Sequence, residues 1–254
     1  MIDKIIVSSD EHFKGFFPIV YKAWKKFFPE HLICCAFVTD RGEQDDYIQE
    51  LRDIYDEVRL FKEIKNIPTK NQAKLARFIM ASEMQKSICM IEDVDTIPLQ
   101  RYFFEDKLRQ RENDKILAVG QEVYKNGPHH KNFPVSTVTS EGYNFKKLIN
   151  PEGKSDQDLF DYFISIADSS KTNVLDFNFS DESLVYKLSQ IYNIDNIQHV
   201  ERDVDVHTDW IDRSWWHIDQ EKLFSGKYIT CNFKRPFEQH QHEFIDIIKY
   251  IDSD

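Results

Sequence analysis

Short apolar segments alternate with amphipathic helical segments along the first hundred residues. Four of the apolar segments are predicted strands: Lys4–Val7, His31–Val38, Glu57–Phe61 and Ser87–Ile91. Helical patterns fill the intervals, the first starting at Pro18, the second spanning Gln44–Tyr55 and the third starting at Thr69. Three strand–helix units that lead into a fourth strand predict right-handed crossovers. The expected fold class is therefore α/β, with a mostly parallel central sheet flanked by helices.

Polar and acidic residues follow three of the four predicted strands. Ser8 and Asp10 follow the first strand, Asp40 follows the second, and Asp93 and Asp95 follow the fourth. Ligands of open α/β sheets bind at the carboxyl ends of the strands. Two carboxylates one residue apart suit Mg²⁺ or Mn²⁺, because these hard cations prefer oxygen ligands. A solvated acidic turn is the alternative, but aspartate at three strand ends favours a site.

The third helical segment carries two further predictions. The T-x-x-Q pattern from Thr69 to Gln72 predicts a capping box at the helix start. Lys70, Lys74 and Arg77 lie at i, i+4 and i+7, so they share one face of the helix. That face is either solvated or directed at an anionic ligand, for which the forked guanidinium of Arg77 is the best suited group.

Composition narrows the class of protein. The chain has 33 basic and 44 acidic residues and a net charge of −11, which disfavours a general nucleic-acid binder. No apolar run approaches the roughly 18 residues of a membrane span, and the N-terminus lacks the pattern of a signal peptide. The four cysteines have no C-x-x-C spacing and are predicted to be buried thiols, with Cys34 and Cys35 on opposite faces of a strand. We expect a cytoplasmic protein whose residues 1–254 form a single domain.

The pattern beyond the first hundred residues is less regular. Lys115–Val119, Trp215–Ile218 and Lys227–Phe233 are predicted strands, and Ser140–Gly142 is a predicted turn. A helix is predicted to start at Asp181 with Ser180 as its N-cap, and Phe237–Ile251 is predicted to be one amphipathic helix.

The order of these parts resembles that of the GT-A glycosyltransferases, and most nearly the glycogenin and lipopolysaccharide galactosyltransferase group. In that group an alanine–arginine pair precedes an apolar strand that ends in D-x-D, as Ala76-Arg77 precede Ile88–Asp95 here. Three later elements are similar to the group's N-x-G turn, D-Q helix start and lysine–proline–aromatic element: Ser140-Glu141-Gly142, Asp181-Glu182 and Lys234-Arg235-Pro236-Phe237. The likeness covers nearly the whole chain, but Glu182 replaces the glutamine and no histidine directly precedes Lys234.

The resemblance implies a Rossmann-like GT-A fold, with a nucleotide-binding half in residues 1–100 and an acceptor-binding half in residues 101–254. It implies Mn²⁺ or Mg²⁺ held by Asp93, Asp95 and a histidine, for which His217 is the first candidate and His207 the second. The residues expected to contact a nucleoside diphosphate sugar, with a UDP-sugar favoured, are these: Ser8, Asp10, Asp40, Lys74, Arg77 and Asp93.

Asp181 and Glu182 are the expected catalytic residues. The helix dipole alone favours carboxylates at a helix start, which is the structural alternative. The resemblance implies that one of them deprotonates the acceptor hydroxyl in an inverting enzyme, or faces the anomeric carbon in a retaining one. The expected activity is metal-dependent sugar transfer to a glycan or other hydroxyl acceptor.

Two other functions stay open at this point. Asp93-Val94-Asp95-Thr96 also fits the D-x-D-x-T motif of haloacid dehalogenase-type phosphatases, although that motif normally ends the first strand. The other alternative is a catalytically inactive sugar-binding protein of the same fold, in which Trp210, Trp215 and Trp216 stack on sugar rings.

Overall fold

The fold is built on a central β-sheet, seen in a computed structural model that describes residues 2–65, 67–124, 132–166 and 181–253. The strands are β1 (Lys4–Asp10), β2 (Leu32–Val38), β3 (Glu57–Phe61), β4 (Ile88–Asp93), β5 (Thr96–Pro98), β6 (Ile116–Val119), β7 (Val138–Glu141), β8 (Ile197–Val200), β9 (Trp210–Ile211) and β10 (Thr230–Asn232). The α-helices are α1 (Phe17–Phe27), α2 (Asp46–Ile54), α3 (Thr69–Glu83), α4 (Tyr102–Arg109), α5 (Gly142–Ile149), α6 (Asp156–Ile166), α7 (Asp181–Ile191), α8 (Val206–Asp209), α9 (Gln220–Phe224), α10 (Phe237–His240) and α11 (Ile245–Asp252). Ser180, the predicted N-cap of α7, lies outside the described residues.

The larger sheet has seven strands in the order β3-β2-β1-β4-β7-β6-β8. Strand β7 runs antiparallel to both of its neighbours, β4 and β6. The other neighbouring strands of this sheet pair in parallel. The expected α/β class with a mostly parallel sheet is therefore confirmed. In the described part of the chain, no helix is long and apolar enough to cross a membrane.

Alternation along the strands divides the apolar core into two clusters, one on each face of the sheet. In β1, Ile5 packs in one cluster and Ile6 in the other. In β2, Cys35 joins the first cluster and Cys34 the second, as expected for neighbours in an extended strand. Because both faces are covered by helices, these strands are buried at almost every position.

A second, smaller sheet was not predicted from the sequence. It has the order β5-β10-β9, with β10 antiparallel to β5 and parallel to β9. The strand predicted at Trp215–Ile218 is wrong, because Arg213–Trp215 form a 3-10 helix and residues 216–218 belong to no strand. The apolar side chains of Trp216 and Ile218 instead pack against the first core cluster.

Two further boundaries differ from the sequence prediction. Ser140 and Glu141 end β7 and Gly142 begins α5, so the predicted turn is a direct strand-to-helix junction. The predicted helix Phe237–Ile251 is divided into α10, a 3-10 helix over Gln241–Phe244, and α11. Phe244, in the 3-10 segment, is completely buried and packs against the rings of Phe233 and Phe237.

Gly142 lies where the start of α5 meets the end of α3. A Cβ atom added to Gly142 would lie 2.2 Å from the carbonyl oxygen of Met84 and 2.6 Å from that of Ala81. Backbone atoms cannot move aside as a flexible side chain can, so we expect Gly142→Ala to lower the free energy of unfolding by about 3 kcal/mol. Urea denaturation measures this loss.

The matched control is Gly42→Ala, since an added Cβ at Gly42 meets no atom within 4 Å. We expect this control to change the free energy of unfolding by less than about 1 kcal/mol, in the stabilising direction. Equal effects of the two substitutions would contradict the close approach of α3 and α5.

Candidate active site

A cleft of about 410 Å³ lies at the carboxyl ends of β1 and β4. The parallel register places Ser8 of β1 directly opposite Asp93 of β4, so both strand ends contribute to one wall. The cleft is lined by residues from seven stretches of the chain: Ser8, Ser9, Phe13, Lys70, Ala73, Lys74, Arg77, Asp93, Val94, Asp95, Val135, Asp181, Glu182, Arg213 and Arg235. It is the place where the fold class leads one to expect a ligand.

One side of the cleft is organised by Arg77 of α3. Its side chain is only 2% exposed and forms ion pairs with Asp93 and with Asp181, the latter at 3.2 Å between Nη2 and Oδ2. The Nζ atom of Lys74 lies 3.8 Å from the other oxygen of Asp181. The second oxygen of Asp93 accepts a hydrogen bond from the hydroxyl of Ser136. We call Arg77, Asp93, Asp181 and Lys74 the Arg77 cluster.

The other side of the cleft is organised by Asp95, whose side chain is 3% exposed. Its Oδ2 atom accepts hydrogen bonds from the guanidinium groups of both Arg213 and Arg235. Each arginine side chain is 41% exposed, so each covers Asp95 on one side and meets the cleft on the other. The guanidinium of Arg235 also lies 5.1 Å from the centre of the Phe13 ring, a cation–π contact. We call Asp95, Arg213 and Arg235 the Asp95 cluster.

The small sheet explains why two arginines reach Asp95. Asn232, the last residue of β10, pairs with Thr96 at the start of β5, and the N–H of Phe233 donates to the carbonyl of Asp95 at 2.8 Å. Strand β9 runs parallel to β10, so the residues that follow both strands emerge at the same edge. Arg213 and Arg235 occupy those positions.

The environment shifts the pKa of two neighbouring carboxyls in opposite directions. Burial raises the pKa of Glu92 to about 7, although its Oε1 atom accepts a hydrogen bond from Thr137. Burial also opposes ionisation of Asp93, but Arg77 and Ser136 outweigh it and hold the pKa of Asp93 at about 2. Asp93 is therefore an anion throughout the neutral range.

The structure brings together most of the residues that the sequence singled out. Eight of them line the cleft: Ser8, Lys70, Lys74, Arg77, Asp93, Asp95, Asp181 and Glu182. Asp10, Asp40 and His217 are not among the lining residues. Asp40 and His217 are exposed elsewhere, and His207 is also exposed, 4.7 Å between ring centres from Trp215.

Asp10 is completely buried and takes part in local structure. It accepts hydrogen bonds from the N–H of His12 at 3.1 Å and from the hydroxyl of Thr69 at 2.8 Å. Thr69 is the first residue of α3 and not its cap, and the amide of Gln72 bonds the backbone of Ile64 and Ile67. The predicted capping box is therefore wrong, because tertiary partners take both side chains.

The contacts of the D-x-D carboxylates do not fit a divalent metal ion well. Both oxygens of Asp93 accept hydrogen bonds, from Arg77 and Ser136, and one oxygen of Asp95 accepts from two guanidinium groups. Within residues 2–65, 67–124, 132–166 and 181–253, no group of three or more His, Cys, Asp or Glu side chains is placed to hold a metal. The metal set of Asp93, Asp95 and His217 stays a prediction from sequence.

Arg213 is the site residue for which the sequence offered no signal. It follows a two-residue strand in a region of mixed charge, and its 3-10 helix is capped by Asp212. Arg235 belongs to the Lys234–Phe237 element that resembles a family motif. The sequence did not predict its contact with Asp95, because that contact depends on the pairing of β10 with β5. Ser9 and Phe13 were likewise not singled out.

Comparison with known proteins shows the fold. No family model and no curated protein sequence matches the chain. An active-site mutant of LgtC is 9% identical with a TM-score of 0.53, covering 92% of this chain and 88% of that one. The galactosyltransferase LgtC in complex with donor and acceptor sugar analogs is 8% identical with a TM-score of 0.51, covering 99% and 97%.

The glycosyltransferase GlyE of Streptococcus pneumoniae TIGR4 is 10% identical with a TM-score of 0.53. That match covers all of this chain but 61% of GlyE, so the chain spans less than two thirds of that protein. Together these likenesses show a GT-A glycosyltransferase fold, as the sequence resemblance predicted.

Buried Glu92 makes the stability of the protein depend on pH. Its pKa in the folded state is about 7, above the ordinary value of 4.5, so between these values the folded state holds a proton that the unfolded state has lost. Stability should therefore fall as pH rises from about 4.5 to 7, by about 3 kcal/mol from this one group. Urea denaturation at pH 5 and at pH 8 measures this change: between the two pH values, the free energy of unfolding should fall less in Glu92→Gln than in wild type. Glu50→Gln, on the exposed face of α2, is the control and should behave as wild type.

Proposed function

We propose that this chain, which has the GT-A glycosyltransferase fold, transfers a sugar from a UDP-sugar to a glycan or other hydroxyl acceptor. The observation that carries the proposal is the charge of the cleft. Five cationic side chains and four carboxylates line it, so the cleft is positive in a chain of net charge −11. A positive cleft at the strand ends of this fold suits a diphosphate, because the charge raises the local concentration of an anionic ligand.

The donor is proposed to lie across the ends of β1 and β4, with residues 1–100 forming the nucleotide-binding half. That half contributes Ser8, Arg77 and Asp93 to the cleft, while Asp181 and Arg235 come from residues 101–254, the proposed acceptor-binding half. Lys70 and Lys74 lie on the same face of α3 as Arg77 and are proposed to contact the diphosphate or the sugar.

The transfer breaks the bond between the anomeric carbon and the oxygen of the β-phosphate, and UDP leaves with the bonding electron pair. A bond forms between the anomeric carbon and the acceptor oxygen, whose proton passes to a base or to solvent. Positive groups around the diphosphate stabilise the charge that develops on the leaving oxygen. A preformed set of cations therefore contributes to the rate as well as to donor binding.

Asp181 and Glu182 differ in what they can do in this reaction. Asp181 is buried and paired with Arg77 and Lys74, so it is proposed to position these two cations. Glu182 also lines the cleft and is more exposed, with Oε2 3.5 Å from the side-chain nitrogen of Asn132. Glu182 is therefore proposed as the carboxylate that faces the sugar or the acceptor hydroxyl.

The alternatives from the sequence receive less support. The solved structures that share the fold are glycosyltransferases, and both oxygens of Asp93 already contact Arg77 and Ser136, which disfavours a phosphatase nucleophile there. The measurement below distinguishes the proposed enzyme from a sugar-binding protein without catalysis. The cytoplasmic location stays a prediction from the sequence.

Ligand-dependent stability tests the donor. At a concentration of 100 times its dissociation constant, a UDP-sugar should raise the melting temperature by roughly 5–10 °C, since it binds the folded state alone. The measurement is a thermal-shift panel of UDP-, GDP-, CMP- and dTDP-sugars. A shift with free sugars but with no nucleotide would favour the sugar-binding alternative, and no shift with any of these compounds would contradict the proposed function.

Substitutions distinguish the roles of the two carboxylates at the start of α7. Glu182→Gln should lower kcat by roughly 10²–10⁴-fold, the usual contribution of a general base, with little change in the affinity for UDP. Asp181→Asn should weaken UDP binding and lower stability, because it removes an ion partner of buried Arg77. Glu152→Gln, in an exposed loop, is the control. Full transfer activity in both variants would assign the helix start a purely structural role.

A further inference from the structure

The second carboxylate of the D-x-D motif is neutralised by protein side chains. Asp95 is buried, and Arg213 and Arg235 both donate to its Oδ2 atom. These arginines follow β9 and β10, and β10 pairs with both β9 and β5, which holds their positions. Phe13 packs against Arg235, and the carbonyl of Asp95 accepts from Phe233. The backbone pairing, the Phe13 ring and the hydrogen bond from Phe233 thus hold the Asp95 cluster in place.

We infer that Arg213 and Arg235 bind the diphosphate of the donor and stabilise the leaving group, in the place of a divalent metal ion. The inference rests on the proposed function, because it concerns the same donor. Two guanidinium groups supply two positive charges, the formal charge of one Mn²⁺ or Mg²⁺. They also present planar N–H forks that match phosphate oxygens, which an ammonium group does not.

Arg213 and Arg235 can contact a diphosphate because their side chains are only partly buried. A guanidinium group has five N–H donors, and the contacts with Asp95 use one from Arg213 and two from Arg235. The exposed 41% of each side chain meets the cleft that Asp93 and Lys74 also line. Asp95 thus acts as a positioning residue, which keeps both cations at the cleft before any donor arrives.

A divalent ion at the same carboxylates is disfavoured by charge. It would lie within a few ångströms of two guanidinium groups, and like charges at such distances repel strongly in a buried site. On Asp93 it would have to share each oxygen with a hydrogen bond that is already formed, from Arg77 or from Ser136. The exposed His217 does not line the cleft and so is not placed to complete a ligand set there.

In the reaction, the arginines act on the atoms that carry the new charge. When the anomeric carbon–oxygen bond breaks, its electron pair stays on the β-phosphate oxygen of UDP. N–H groups of Arg213 and Arg235 donate hydrogen bonds to the phosphate oxygens, and no proton is transferred because guanidinium stays protonated in proteins. The acceptor oxygen forms the new bond, and its proton leaves as described for the proposed function.

The test on the wild-type protein is UDP binding with and without metal. Protein treated with EDTA and freed of metal is titrated with UDP by calorimetry, in buffer with EDTA and in buffer with MnCl₂. We expect dissociation constants that agree within about threefold. UDP binding that is lost in EDTA and restored by Mn²⁺ would overturn the inference but leave the proposed function standing. No UDP binding in either buffer would overturn both.

Variants identify the residues responsible. Arg213→Gln and Arg235→Gln should each weaken UDP binding by roughly 10- to 100-fold, the effect of losing a charged hydrogen bond. Arg235→Lys should recover part of the loss, since it keeps the charge but not the fork. The matched control is Arg101→Gln, because Arg101 is 39% exposed and paired with Glu30 and Glu105 away from the cleft. Wild-type affinity in both glutamine variants would overturn the inference, and if these variants do not fold, the wild-type titration decides it.

Discussion

The ion pairs of the buried Arg77 side chain are the interaction on which the cleft depends. Arg77 joins Asp93, 16 residues away, and Asp181, 104 residues away, so a single side chain ties α3 to the ends of β4 and α7. Burying a guanidinium group costs free energy unless carboxylates pair with it. Removing one of these carboxylates would leave a buried positive charge uncompensated, which is strongly destabilising. An arrangement of the three elements in which these groups meet is therefore favoured over one that leaves Arg77 unpaired, and it forms one wall of the cleft.

The D-x-D turn joins the two sheets of the molecule. Asp93 ends β4 in the large sheet, and Thr96 starts β5 in the small one, so Asp95 lies at the junction. The small sheet is only three strands wide, yet it brings Arg213 and Arg235 to that junction. In the proposed complex with the donor, the positive charge beside the diphosphate comes from the side chains that follow β9 and β10.

Particular residues show where sequence reasoning succeeded and where it failed. Helical spacing placed Lys74 and Arg77 on one face of α3, because 3.6 residues per turn is a local property, and that face lines the cleft. The capping box at Thr69 failed because Asp10 and the backbone before α3 offered its side chains other partners. The strand predicted around His217 failed because bulky apolar residues pack equally well outside a strand, here against the core.

The sequence by itself determined the parallel half of the sheet and the acidic ends of its strands. Those features depend on apolar periodicity and on which residues directly follow a strand, both of which are local. Only the tertiary structure decided what each carboxylate contacts. Asp95 meets Arg213 and Arg235 across 118 and 140 residues of chain, through a register between β5, β9 and β10 that short strands do not encode in their own pattern. Charge pairing over such separations is a property of the packed fold, and it decides whether a D-x-D motif is open to a metal or already neutralised.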